Sequence, residues 1–283
     1  APLACVTAAV AVALLACLYA AVGGLRLRAV TAADLDVAET AYMRADRAAG
    51  RCDSFARTPV AAAGVSPVLA CAVVWAEDRR FFWHDGFDGA AFAAALRVDL
   101  DAGTARVGGS TLAMQLARNL YLSAARSPTR KLKEILLARR LLHAHGHDRV
   151  LAAYLDVAEW APCAYGVEAA AQHYFGHGAA ALDAAEATFL AGMLPRPTRA
   201  PGVLEADRAA LVRRQQILLG LLFRAGVLDR PAVQAARRAV SAMWSGGAPR
   251  HVDHGPASVA ADALARRCGT TASGELAVVR DMP

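Results

Sequence analysis

The stretch Ala76-Glu77-Asp78-Arg79-Arg80-Phe81-Phe82-Trp83-His84-Asp85-Gly86 sets two adjacent acids, two arginines, three aromatics and a histidine between an apolar run and a glycine. Upstream, Ser66-Pro67 followed by Val68, Leu69, Ala72, Val73 and Ala76 predicts a buried helix, with Ser66 as N-cap and Pro67 at the first helical position. Glu77 and Asp78 then fall in its last turn, where the negative end of the macrodipole disfavours ionisation and raises a carboxyl's pKa. A proton-transferring acid or base needs that bias. Alone, the tetrad would serve as a solvated helix end in which the acids pair with Arg79 and Arg80. The segments that follow favour chemistry.

Ala90 to Asp101 is helical in pattern and ends near Gly103. Then Arg106-Val107-Gly108-Gly109-Ser110-Thr111 is a glycine turn feeding a hydroxyl N-cap and a helix. On that helix Leu112, Leu116 and Leu120 face a core, while Thr111, Gln115, Arg118 and Asn119 share a polar face with one cation. A turn of this kind offers backbone N–H groups to an anion. The next segment, Arg126-Ser127-Pro128-Thr129-Arg130-Lys131-Leu132-Lys133-Glu134, opens another helix and gathers four cations at its first turns. The dipole makes positive charge unwelcome there, and a bound anion would offset it. Arg130 and Glu134, four apart, would by themselves be a surface ion pair. Of the 31 basic residues only Lys131 and Lys133 are lysines, which suggests that a compact ammonium is wanted in this stretch.

His143, His145 and His147 alternate around Gly146 and raise a zinc hypothesis against the commoner helix end or loop. Asp148 is read as the cap of a helix reaching Asp156, and a loop with Trp160, Pro162 and Tyr165 precedes Gly166-Val167-Glu168-Ala169-Ala170-Ala171-Gln172-His173-Tyr174-Phe175-Gly176. Asp183 and Glu186 form a capping-box pattern ahead of a helix that ends near Leu194. Asp207 to Phe223 is amphipathic, and Asp229 with Pro231 opens one more helix. Beyond Ser245 the Gly, Pro and His content reads as a loosely ordered tail. No strand and no internal repeat is read anywhere.

Leu3 to Leu25 carries no charged side chain and matches the length of a membrane helix. A cleaved signal ending near Ala20 or Ala21, and an acylated Cys17 after Leu14-Leu15-Ala16, are the competing readings; both lack a basic leader. Arg26 and Arg28 follow the segment, so charge bias alone would place the remainder in the cytoplasm. Cys52, Cys71, Cys163 and Cys268 show no C-x-x-C spacing; one or two disulfides are compatible with an extracytoplasmic domain, with connectivity open. The expected organisation is an anchor over 1–28, a linker with a short helix over 29–58, a domain over 59–244 and a tail over 245–283.

Taken in order, the four segments resemble the peptidoglycan glycosyltransferases (glycosyltransferase family 51), the lysozyme-like domain of class A penicillin-binding proteins and of their monofunctional, membrane-anchored relatives. Glu77-Asp78-Arg79, Phe81, His84 and Gly86 match E-D-x-x-F-x-x-H-x-G, and Gly108 to Gln115 matches G-G-S-T-x-x-x-Q, continued by Arg118-Asn119. Arg130-Lys131 with Glu134 matches R-K-x-x-E, while Tyr154-Leu155 and Gly166 to Phe175 resemble Y-L-N and G-V-x-A-A-x-x-Y-F-G. Ala113, Met114, His147, Asp156 and Ala161 depart from the family pattern. The transpeptidase motifs S-x-x-K and K-T-G are absent.

The resemblance implies a mainly helical, all-α lysozyme-like fold with an N-terminal transmembrane helix. It implies polymerisation of lipid II onto a glycan strand with inversion, on the outer side of the cytoplasmic membrane, by a single-pass protein without transpeptidase activity. Glu77 is then the general base and Glu134 a donor-site acid. Asp78, Phe81, His84, Gly109, Ser110, Thr111, Gln115, Arg118, Asn119, Arg126, Arg130 and Lys131 are the expected substrate-binding residues. A divalent cation, Mg²⁺ or Mn²⁺, is compatible with such a site, and no organic cofactor is expected. The implied partners are lipid II, the nascent glycan, membrane lipid and other cell-wall synthesis or division proteins; nucleic acid is not among them. A lysozyme-like hydrolase and a catalytically impaired scaffold are the alternatives.

Overall fold

The computed structural model describes residues 30–103, 109–122, 127–194 and 206–244, together with His251 and Cys268. The apolar run 3–25, Gly108, Arg126 and most of the tail therefore lie outside the described residues. No helix among the described residues is long and apolar enough to cross a membrane.

The chain forms α1 (Ala41–Ala48), α2 (Pro67–Glu77), α3 (Gly89–Ala102), α4 (Leu112–Tyr121), α5 (Pro128–Val157), the strands β1 (Glu159–Ala161) and β2 (Ala164–Tyr165), then α6 (Val167–Phe175), α7 (Ala184–Met193), α8 (Arg208–Arg224) and α9 (Arg230–Met243). The mainly helical architecture expected from the sequence is the one observed. At its centre lies α7, whose every residue is buried and which packs on α2, α8 and α9. Alanine and Gly192 keep α7 thin enough for three neighbours. The other half of the core is the α4–α5 pair. Trp75, Trp160 and Trp244 are fully buried, each contributing on the order of 2–3 kcal/mol of hydrophobic stabilisation.

Several caps fall where the sequence places them. Thr111, Ser127, Asp183 and Asp229 each accept a backbone N–H from the first turn of their helix. Ser66 does not: its hydroxyl donates instead to the Leu182 carbonyl (2.8 Å), which ties the start of α2 to the turn before α7.

Other expectations are corrected. Asp148 lies inside the second of two helical stretches that meet at Gly146 (φ 73°, ψ 168°) within α5, so the expected boundary is present and its cap position is Gly146 rather than Asp148. The loop around Trp160 is an antiparallel hairpin, β1–β2, turned through Cys163 at φ 58°. Its second strand also bridges Ala56, and a Cys52–Cys163 disulfide fastens residues before α2 to the hairpin. The tail is not wholly loose: Cys268 is buried, bonded to Cys71 in the middle of α2, and its carbonyl accepts the Trp75 indole N–H (2.7 Å).

Candidate active site

Where α2 ends, the chain enters a loop that is clamped at both ends. Asp78 is buried, and its carboxylate accepts the Leu112 N–H (3.0 Å) at the start of α4 and faces His84 Nε2 (3.0 Å). His84 Nδ1 accepts the Gly86 N–H (3.1 Å), so the ring proton sits on Nε2 and is donated to Asp78. Thr111 donates to the Gly86 carbonyl (2.7 Å) while accepting from Met114 N–H. Gly86 itself (φ 111°) lies so close to α5 that a Cβ would stand 2.7 Å from Ala138 C and Arg139 N. Phe81 is fully buried, edge-on to the rings of His84 and His147. Asp78, Phe81, His84 and Thr111 thus hold the loop in place, and Asp78 and Thr111 also line the cleft beside it.

That cleft, about 440 Å³, is open to solvent and runs between Glu77 and Arg80 on one wall, Ala90 and Ala94 of α3 on another, and Gly109 and Ser110 on the third. Gly109 lets the turn come against α3, since a Cβ there would be 3.0 Å from Phe92 Cα.

Glu77, the last residue of α2, is the acid in this wall with its pKa pushed up. Burial is the main cause, opposed by the hydrogen bond from Gln115 and the charge of Arg214, and aided by Asp78. Gln115 Nε2 donates to Glu77 Oε2 (3.2 Å) and, through its carbonyl oxygen, accepts from Tyr154 (3.0 Å). Arg214 of α8 reaches Glu77 Oε1 (3.2 Å). The carboxylate is therefore oriented by one amide and one guanidinium. It remains free to exchange a proton.

Around Ser110 the chain gathers positive charge. Lys131 Nζ donates to Ser110 Oγ (2.6 Å) and pairs with Glu134 (3.1 Å), which Arg130 also contacts; Glu134 is buried. The Lys131 ammonium is held down to about 8, by burial first and then by the neighbouring charges of Arg118 and Arg130. Arg118 Nε is buried without a hydrogen-bond partner among the described residues. Arg130 and Lys131 on one buried carboxylate, with the Arg118 charge beside Lys131, leave a net positive site with an unfilled donor at Arg118 Nε, which fits an anion. Both oxygens of Glu134 are taken by Arg130 and Lys131, and Asp78 is taken by His84 and Leu112. This donor set does not fit a divalent cation. Asn119 is buried on α4, and Arg126 lies outside the described residues.

The departures from the family pattern fall away from the cleft. Ala113, Met114 and Ala161 are in the core. Asp156 takes Arg57 (2.6 Å) and the Val60 N–H, joining residues before α2 to the end of α5. His147 bonds to the His84 carbonyl (3.0 Å) and packs on Phe81 and Phe82, and the three alternating histidines make no metal-binding group. Arg214 escapes a sequence reading, because it stands 137 residues from Glu77 on a helix whose pattern shows only amphipathicity.

A family model described as Transglycosylase matches residues 46–222, more than half of the chain. Among curated proteins, the "Biosynthetic peptidoglycan transglycosylase" of Alcanivorax borkumensis is 42% identical over 159 residues, covering 55% of this chain and 65% of the relative. That of Nitrosospira multiformis is 41% identical over 133 residues (47% and 58%), and that of Chromobacterium violaceum 37% over 163 (56% and 71%). The chain thus spans just under two thirds of the first of these relatives and less of the second. With the matched region containing the loop after α2, the cationic turn of α5 and the Arg214 contact, the chain belongs to the transglycosylase family.

Proposed function

We propose that this protein polymerises the glycan strands of peptidoglycan. Glu77 takes the proton of the acceptor lipid II 4-hydroxyl, whose oxygen forms a bond to the donor strand's terminal anomeric carbon as the bond to the undecaprenyl diphosphate oxygen breaks. Attack on the face opposite the leaving group inverts the centre and gives a β-1,4 linkage. Arg118, Arg130 and Lys131 neutralise the departing diphosphate, with Glu134 holding Arg130 and Lys131 in place. Ser110 and Gln115 position the reacting groups. The reading rests above all on one observation: a half-buried carboxylate of raised pKa opens onto the same cleft as Ser110, whose hydroxyl takes the Lys131 ammonium from the cation cluster behind it. The two disulfides favour a domain on the oxidising side of the cytoplasmic membrane, with residues 3–25 as the anchor.

The test is to incubate purified protein in detergent with fluorescent lipid II and resolve the products on a gel. Wild type is expected to give a ladder of glycan chains, and Glu77→Gln to lose about 10²–10⁴-fold in rate with an unchanged fold. A Glu77→Gln ladder equal to wild type would remove Glu77 as the base. Sugar release from finished peptidoglycan, with no ladder, would move the assignment to a hydrolase.

A further inference from the structure

A second cluster of ligand-type side chains lies at the other end of α2 and α7. Glu186, in the first turn of α7 and fully buried, points Oε1 at His177 Nε2 (3.1 Å) and at His251 Nδ1 (2.7 Å). Its other oxygen, Oε2, is occupied by the Asp183 N–H of the capping box (3.1 Å). The ring nitrogens and the carboxylate oxygen all lie within 4.8 Å of one another. Ser66 at the start of α2 bonds to the Ala179 and Leu182 carbonyls just before α7, whereas Gly192 near its end touches Arg214. The cluster is thus roughly 15 Å from Glu77, one length of α2.

The tautomers decide what the cluster wants. His177 Nδ1 faces the Gly178 carbonyl (3.1 Å), which can only accept, so Nδ1 carries a proton. In the neutral ring Nε2 then presents a lone pair to a carboxylate oxygen, an arrangement that requires a cation between them or a second ring proton. His251 aims its Nδ1 at the same oxygen. Two imidazole nitrogens, one carboxylate oxygen bound through a single atom, and a backbone carbonyl orienting one ring together form a zinc donor set with its outer support. Tetrahedral bonds of about 2.0–2.1 Å place ligand atoms roughly 3.3 Å apart, and small side-chain adjustments reach that spacing.

We propose that His177 Nε2, Glu186 Oε1 and His251 Nδ1 bind one zinc(II) ion, with water as fourth ligand, and that the ion ties His251 to the start of α7. The site is independent of the polymerase reading.

The test uses the untagged chain with its disulfides intact, titrated with ZnCl₂ and, separately, with CoCl₂. One zinc per chain, a melting temperature that rises with zinc and falls back with EDTA, and the d–d bands of tetrahedral cobalt are expected. His251 is 43% exposed, so His251→Ala should keep the fold by circular dichroism while weakening zinc at least about tenfold. Absence of binding, octahedral cobalt bands, equal affinity in His251→Ala, or loss of binding in a His143→Ala/His145→Ala control instead would each overturn the site.

Discussion

A lysine held at about 8 between two guanidinium groups gives the proposed reaction a pH signature that no carboxylate could supply. Lys131 loses its proton as pH rises through that value, so kcat/KM should fall along a basic limb near pH 8. In kcat the limb should move up, since a bound diphosphate stabilises the ammonium. Lys131→Arg should abolish the limb, because guanidinium stays charged. On the acid side, Glu77 works ionised and its pKa is raised, so activity should fall as pH drops through a value above the usual carboxylate range. The same shift has a stability sign. An acid whose folded pKa lies above its unfolded one is unfavourable when ionised, so Glu77→Gln should melt higher than wild type at pH 7, with the gap closing in acid. The direction was legible from the position of Glu77 at a helix end, but the leading cause is burial, which arises only from tertiary packing. Sequence spacing puts Gln115 on the right face of α4; it cannot bring α8 across to Glu77.

Among the elements, the loop after α2 owes its shape to Gly86, whose positive φ and contact with the α5 backbone leave no room for a methyl group. Gly86→Ala should cost about 3 kcal/mol or more, strain and overpacking together, measurable by chemical denaturation. Asp156→Asn, which restores the residue common in the family, should weaken the Arg57 contact and lower stability by about 1–3 kcal/mol while leaving polymerisation close to wild type. A large gain in rate would show instead that Asp156 impairs the site. Helix starts were readable because a cap is a local bargain between one side chain and its own first turn, as at Thr111 and Asp183. The hairpin was not, since strands of three and two residues are too short to display alternation, and its turn depends on Cys163 being held by Cys52. Gly146 was readable as a boundary, and its non-helical backbone does separate the two helical stretches of α5.

At the scale of the molecule, the Cys71–Cys268 link spans a sequence separation of 197 and ties Cys268 to the helix that carries Glu77. Its removal by Cys268→Ser should cost about 2–5 kcal/mol, seen as a lowered denaturation midpoint. Counting cysteines could not have shown this pairing, because two partners so far apart meet only once α2 is enclosed by its neighbours. The sequence holds six cysteines, and the two bonds consume four, leaving Cys5 and Cys17, both within the apolar stretch 3–25. A maleimide dye added to the oxidised protein would therefore be expected to mark that stretch alone, and whether it reacts from water or only after detergent extraction would test whether that stretch sits in lipid.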